Sequence, residues 1–118
     1  MTRRAFLAAP AVALARPATD VRIRAVDIGY EDFLYRVPIK FGGRTLDRVT
    51  LLNVHCTVEG RNGRTATGLG SMPLGNVWSW PSPSMNYDQT LQAMKDLAGR
   101  IAALYRSLSE YGHPIDLT

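Results

Sequence analysis

One cysteine and two histidines are all the soft metal-ligating chemistry this chain of 118 residues carries. Cys56 alone excludes an internal disulfide and a cysteine zinc cluster. His55 and His113 stand far apart, and neither has a partner at ligand spacing. No lysine- or arginine-rich run occurs, and two of the four net positive charges are Arg3 and Arg4. That excludes the basic footprint of a nucleic-acid binder. No apolar run is long enough to span a bilayer. Catalytic motifs are missing too. Gly68-Leu69-Gly70 lacks the third glycine and the helix of a dinucleotide fingerprint. Ser71, Ser79, Ser82 and Ser84 have no nucleophile-elbow context. Glu31 and Asp32 are adjacent, so in an extended chain they point to opposite faces and make a poor acid/base pair.

What remains is ordinary for one small globular domain: 46% hydrophobic residues, 20% charged. The N-terminus is distinctive. Thr2-Arg3-Arg4-Ala5-Phe6-Leu7 looks like a twin-arginine export signature, followed by a weakly apolar stretch and Ala13-Leu14-Ala15 as a small-x-small cleavage site. Residues 1–15 read as a signal peptide, 16–20 as a linker and 21–118 as the folded domain. The expected location is periplasmic or extracellular.

The domain is organised around Arg48 to Leu74. Leu52, Val54, Cys56 and Val58 alternate with Asn53, His55, Thr57 and Glu59, which predicts a half-buried strand. Asn62-Gly63 marks the turn, and Arg64 to Leu69 runs back as a second strand. Cys56, inside the apolar stripe, reads as a small buried hydrophobe. Upstream, Val21, Ile23 and Ala25 alternate, and the phase then moves to Val26, Ile28 and Tyr30. A one-residue shift of that kind predicts a bulge or a strand that switches faces. Glu31 to Asp47 reads as a loop, because Pro38 blocks regular pairing and Gly42-Gly43 makes a turn. Gly70 to Ser84, rich in glycine, proline and serine, reads as neither helix nor central strand. Leu91, Met94, Leu97, Ala98, Ile101, Leu104, Tyr105 and Leu108 recur at helical spacing. Ser84, Asn86 or Asp88 would cap that helix, Asp96 and Arg100 would pair along it, and Gly112 and Pro114 would stop it. The predicted fold is α+β: a three-stranded antiparallel meander packed against a C-terminal helix, with Leu52, Val54 and Ile101 buried between them.

Chemistry, where it exists, falls on loops. Ile39, Phe41, Trp78 and Trp80 put large apolar groups on segments predicted to have no regular element to bury them, which makes them substrate-loop candidates. No catalytic residue and no metal ligand is assigned.

The order of elements then resembles a known family. A strand, a long loop with PIKFGG, a hairpin with VTLLNVHCTVEGRNGRTATGLGSMPL, an aromatic loop and a long helix are similar to the N-terminal capping domain of the mandelate racemase/muconate lactonizing enzyme family, in the enolase superfamily. The resemblance covers about Val21 to Thr118. Members often carry an acidic residue where Ser71 stands here. The resemblance implies a cap that closes over the mouth of a (β/α)-barrel. Its selecting loops would lie around Pro38 to Arg44 and Ser71 to Pro81. It implies an Mg-dependent racemase or dehydratase that abstracts a proton next to a carboxylate. The metal ligands and bases of such an enzyme lie on the barrel, which needs roughly 250 residues. This chain would therefore need no cofactor of its own and be inactive alone. The implied partners are a barrel in cis or trans and a small acidic or sugar-like substrate. Nucleic acid is not implied, and a homo-oligomer is compatible with the reading. Two alternatives stand beside it: an exported small-ligand-binding module using the aromatic loops, and a structural interaction domain.

Overall fold

The computed structural model describes residues 18–41 and 43–118. Residues 1–15, read above as a signal peptide, and the first two residues of the linker lie outside the described residues. Three strands, β1 (Val21–Phe41), β2 (Arg44–Gly60) and β3 (Thr65–Pro73), form one antiparallel sheet in the order β1-β2-β3. A one-turn helix, α1 (Asn76–Ser79), and a long helix, α2 (Tyr87–Ser107), follow. The architecture is α+β, as the alternation and the helical spacing predict. Among the described residues no helix is long and apolar enough to cross a membrane.

The β1–β2 register carries the predicted bulge. Ile23 pairs with Val58 and Ala25 with Thr57, so Arg24 is the extra residue. The insertion brings Val26, Ile28 and Tyr30 opposite Cys56, Val54 and Leu52, on the same face as Val21 and Ile23. One bulge thus keeps both apolar phases of β1 on the helix side. Arg24 and Arg22 both reach Glu59, at 3.3 and 2.8 Å.

The predicted loop over Glu31 to Asp47 is instead a continuation of the hairpin. β1 pairs with β2 as far as Leu34–Arg48, lapses, and resumes from Ile39–Leu46 to Phe41–Arg44. Pro38 sits inside the lapse, where its missing N–H costs no ladder bond. Cross-strand side chains hold the intact part: Thr50 donates to Asp32 at 2.6 Å and Asn53 to Glu31 at 2.8 Å. Those bonds confirm that the two adjacent acids face opposite ways. Gly43, at φ 77°, makes the turn that a side chain would strain.

At the other hairpin, Gly63 is left-handed at φ 80° while Asn62 is not. The connection is therefore a four-residue loop closed by Gly60 N–H to Arg64 O at 2.8 Å, with Asn62 Oδ1 accepting from Arg64 N–H. β3 runs four residues past the predicted end at Leu69. Gly68 and Gly70 pair regularly there because an edge strand tolerates residues that contribute no packing.

Helix α2 begins at a capping box. Asn86 accepts from Gln89 N–H, and the Gln89 side chain accepts from Asn86 N–H, both at 2.9 Å. It ends at Ser107, five residues before Gly112. Gly112 instead bridges Val21, exchanging two backbone bonds of 2.9 Å. The Tyr111 ring packs against the guanidinium groups of Arg22 and Arg61, 5.3 and 4.6 Å from its centre, and Arg61 also pairs with the buried Asp20. The predicted Asp96–Arg100 pair is not formed; Asp96 accepts from Gln92 at 2.9 Å.

Helix and sheet meet along β1. Arg106 donates to Val26 O at 2.6 Å, and Tyr30 donates to Lys95 O at 3.2 Å. Val26 and Ala102 are almost fully buried, at 5% and 3% exposure. Ile101, predicted to be core, is 44% exposed, and Leu104 is 67% exposed. Ala102 is the buried point of the contact, and the larger stripe residues Met94, Leu97, Ile101 and Tyr105 line the apolar cavity beside it with Val26, Leu52 and Val54. Leu52, Val54 and Cys56 are half-buried. Two apolar cavities of about 240 and 320 Å³ flank the contact and share Val26, Val54 and Tyr105.

Candidate functional site

Beyond β3 the chain turns sharply at Leu74 and Gly75. Leu74 N–H bonds to Thr50 O at 3.0 Å, which anchors the turn on β2. Gly75 is left-handed at φ 58°, and the indole Nε1 of Trp78 lies only 3.0 Å from where a Cβ would stand. The turn therefore requires glycine twice, for its dihedral and for the indole packed on it. Residues Asn76–Ser79 then form α1, within the stretch predicted to be irregular. Ser79 Oγ bonds to Leu74 O at 2.8 Å, which closes the turn on itself. The helix is fixed to α2 by Asn76, whose amide donates to Thr90 Oγ1 at 2.9 Å and Tyr87 O at 3.1 Å.

This construction presents Trp78 toward the far half of the β1–β2 hairpin. Tyr35, Ile39, Leu46 and Arg48 from the hairpin, Gly75, Val77 and Trp78 from the turn and α1, and Tyr87 from α2 line one cleft of about 170 Å³. Two of the four predicted loop residues, Ile39 and Trp78, thus meet across it. They come from segments 39 residues apart in the chain. Trp80 does not line this cleft; its backbone N–H closes α1 on Asn76 O at 3.2 Å. Phe41 ends β1, and its side chain lies outside the described residues.

Arg48 is the charge of the site. Its guanidinium stacks 4.4 Å from the centre of the Tyr87 ring, and Nη2 pairs with Asp88 at 3.0 Å. The pair forms a ridge, because Arg48, Val49 and Tyr87 also line a neighbouring cleft of about 310 Å³ with Asp32, Thr50 and Asp88. Burial pushes the Tyr87 phenol above its ordinary value, and the Arg48 charge only partly offsets this. Tyr87 therefore stays a neutral hydrogen-bonding group at any physiological pH. Its hydroxyl reaches Arg48 O at 3.4 Å.

Tyr35, Arg48 and Tyr87 were not singled out by sequence reasoning. Tyr35 falls inside the segment read as loop and Arg48 opens the stretch read as a hairpin, and only the pairing of β1 with β2 brings them beside Trp78. Tyr87 had one legible signal, its place after the capping residue Asn86. His55 is exposed on the polar face of β2. His113 is turned into its own loop, accepting from Ile115 N–H at 3.2 Å. Among the described residues no three His, Cys, Asp or Glu converge as a cation site.

An aromatic-lined cleft with one arginine can bind and orient a small ligand that carries both an apolar or ring face and an acceptor group. No family model matches this chain, and no curated protein or solved structure gives a significant match.

Proposed function

We propose that this chain is a substrate-capping and specificity domain of the mandelate racemase/muconate lactonizing type, acting on carboxylate or acid-sugar substrates and catalytically incomplete alone. The observation that carries the reading is the meeting of Ile39 and Trp78. Two segments named from the sequence as selecting loops line one cleft. The order of elements, a three-stranded meander followed by a long helix, supports the same reading. In this reading a (β/α)-barrel supplies the magnesium site and the bases, and the domain acts outside the cytoplasm after export. Arg48 offers the cleft's one cationic group to a substrate carboxylate, and Tyr35, Trp78 and Tyr87 offer faces to its carbon skeleton.

The test is reconstitution. The purified chain alone is expected to show no magnesium-dependent exchange of solvent deuterium into an acid sugar. Combined with a matching barrel it is expected to restore turnover. Trp78→Ala in that complex should alter the ratio of kcat/KM values between acid-sugar substrates by tenfold or more, with little change in proton abstraction from the preferred one. Exchange catalysed by the 118-residue chain alone would overturn the reading.

The second reading, a free-standing small-ligand-binding module, draws on the same aromatic cleft. Saturable quenching of Trp78 fluorescence by a sugar acid in a Trp80→Phe background, without any barrel, would favour it.

A further inference from the structure

The two edges of the sheet are built differently. β1 is guarded along its length. It carries seven charged residues, a bulge at Arg24, a lapse in pairing after Leu34, and Pro38 within that lapse. These are the devices by which proteins keep an edge strand from pairing with another chain. β3, the opposite edge, has none of them over its length. Its nine residues are all exposed, none is charged, its register with β2 is unbroken, and its one proline, Pro73, is the last residue. Every second residue of such a strand turns its N–H and C=O outward. Among the described residues nothing pairs with that outer edge.

The sequence of β3 is also complementary to itself. Laid antiparallel against a second β3 with Leu69 on the dyad, Gly68 meets Gly70, Thr67 meets Ser71 and Ala66 meets Met72. Leu69, 65% exposed, meets its own copy. The Thr67 and Ser71 hydroxyls face each other, as Thr57 and Thr67 already do across β2 and β3 at 2.7 Å, and Thr65 meets Pro73 at the ends of the pair. The exposed Met72 covers the small Ala66. Because an odd residue faces an odd residue, the helix-bearing faces of both sheets stay on one side. No like charges oppose one another anywhere in the pair.

We propose that β3 is a homodimerisation edge, at which two copies of this chain join antiparallel about Leu69 into one six-stranded sheet. The inference stands independently of the capping reading, because it rests on the strand edge and not on the cleft. A nine-residue strand makes a seam roughly 30 Å long. That is short for a protein interface, so a weak dimer, in about the micromolar range, is expected.

Sedimentation equilibrium of the full chain from about 5 to 200 μM, a range set by that affinity, tests it. The mass should rise from 13.0 kDa toward twice that value. Leu69→Lys places two ammonium groups face to face on the dyad and should weaken association at least tenfold, with an unchanged circular dichroism spectrum. A second measurement fixes the register. In a Cys56→Ala background, Leu69→Cys should give a disulfide-linked dimer under mild oxidation, since paired Cα atoms about 4.5–5.5 Å apart suit a disulfide. Met72→Cys, facing Ala66, should not. A wild-type chain that stays monomeric at 200 μM would overturn the proposal. So would a dimer indifferent to Leu69→Lys, or equal cross-linking at positions 69 and 72.

Discussion

The Asn76 amide donates to the Thr90 hydroxyl at 2.9 Å, and both side chains are almost completely buried. This bond ties α1 to the first turn of α2, and α1 carries Trp78 to the cleft. A one-turn helix has too few internal bonds to hold itself, so its position depends on this tether. Asn76→Ala is expected to cost about 1–3 kcal/mol, because it removes the bond and strips the Thr90 hydroxyl of a buried partner. Chemical denaturation measures the loss. Loss of a fixed Trp78 environment in near-ultraviolet circular dichroism, at temperatures where the sheet is intact, would show that the tether positions the indole.

Core substitutions separate the observed helix face from the one its spacing predicts. Val26→Ala deletes volume at a site 5% exposed and should cost about 1–3 kcal/mol. Ile101→Ser acts at a site 44% exposed and should cost less than about 1 kcal/mol, as surface changes do. Equal losses in thermal denaturation would mean that α2 is rotated toward Ile101.

Alkaline pH should destabilise the fold in a way that two tyrosines explain. Burial raises the phenols of both Tyr30 and Tyr87, with Asp96 adding to the first. A raised folded-state value favours the neutral phenol. Its contribution is fully present below the ordinary tyrosine value of about 10 and is lost as pH rises through the folded value. Melting temperature should therefore be level up to about pH 9 and fall above about pH 10, where unfolded phenols ionise first. The double variant Tyr30→Phe, Tyr87→Phe should show a shallower fall.

Export can be tested apart from structure. Arg3→Lys with Arg4→Lys should leave the protein in the cytoplasm and uncut. Fractionation that finds the double variant exported and cleaved after Ala15 as efficiently as the wild type would refute the twin-arginine assignment.

Local pattern determined much of this molecule. The alternation of Leu52, Val54, Cys56 and Val58 fixed the inner face of β2, since only a strand brings every second residue to one side. The phase change before Val26 announced the bulge at Arg24, and the spacing from Leu91 to Leu108 announced α2. Asn86 and Gln89 set its first residue through bonds that span three positions. Each of these signals lies within a few residues of its effect.

Tertiary structure decided what no local window holds. Glu31 to Asp47 reads as a loop because Pro38 and two glycines interrupt it, yet Asp32 and Glu31 find Thr50 and Asn53 across the hairpin and extend the sheet. The helical stripe fixes a periodicity but not which residue leads, and packing against the sheet buried Ala102 while Ile101, on the same apolar cavity, stays 44% exposed. Ile39 and Trp78 were legible as candidates, but their place on one cleft, with Arg48 and Tyr87, depends on the Gly75 turn and the Asn76 tether acting together. Side-chain alternation and helical spacing are properties of the backbone, so sequence records them directly. A cleft is a sum of distances between separate elements, and those distances exist only once the elements have packed.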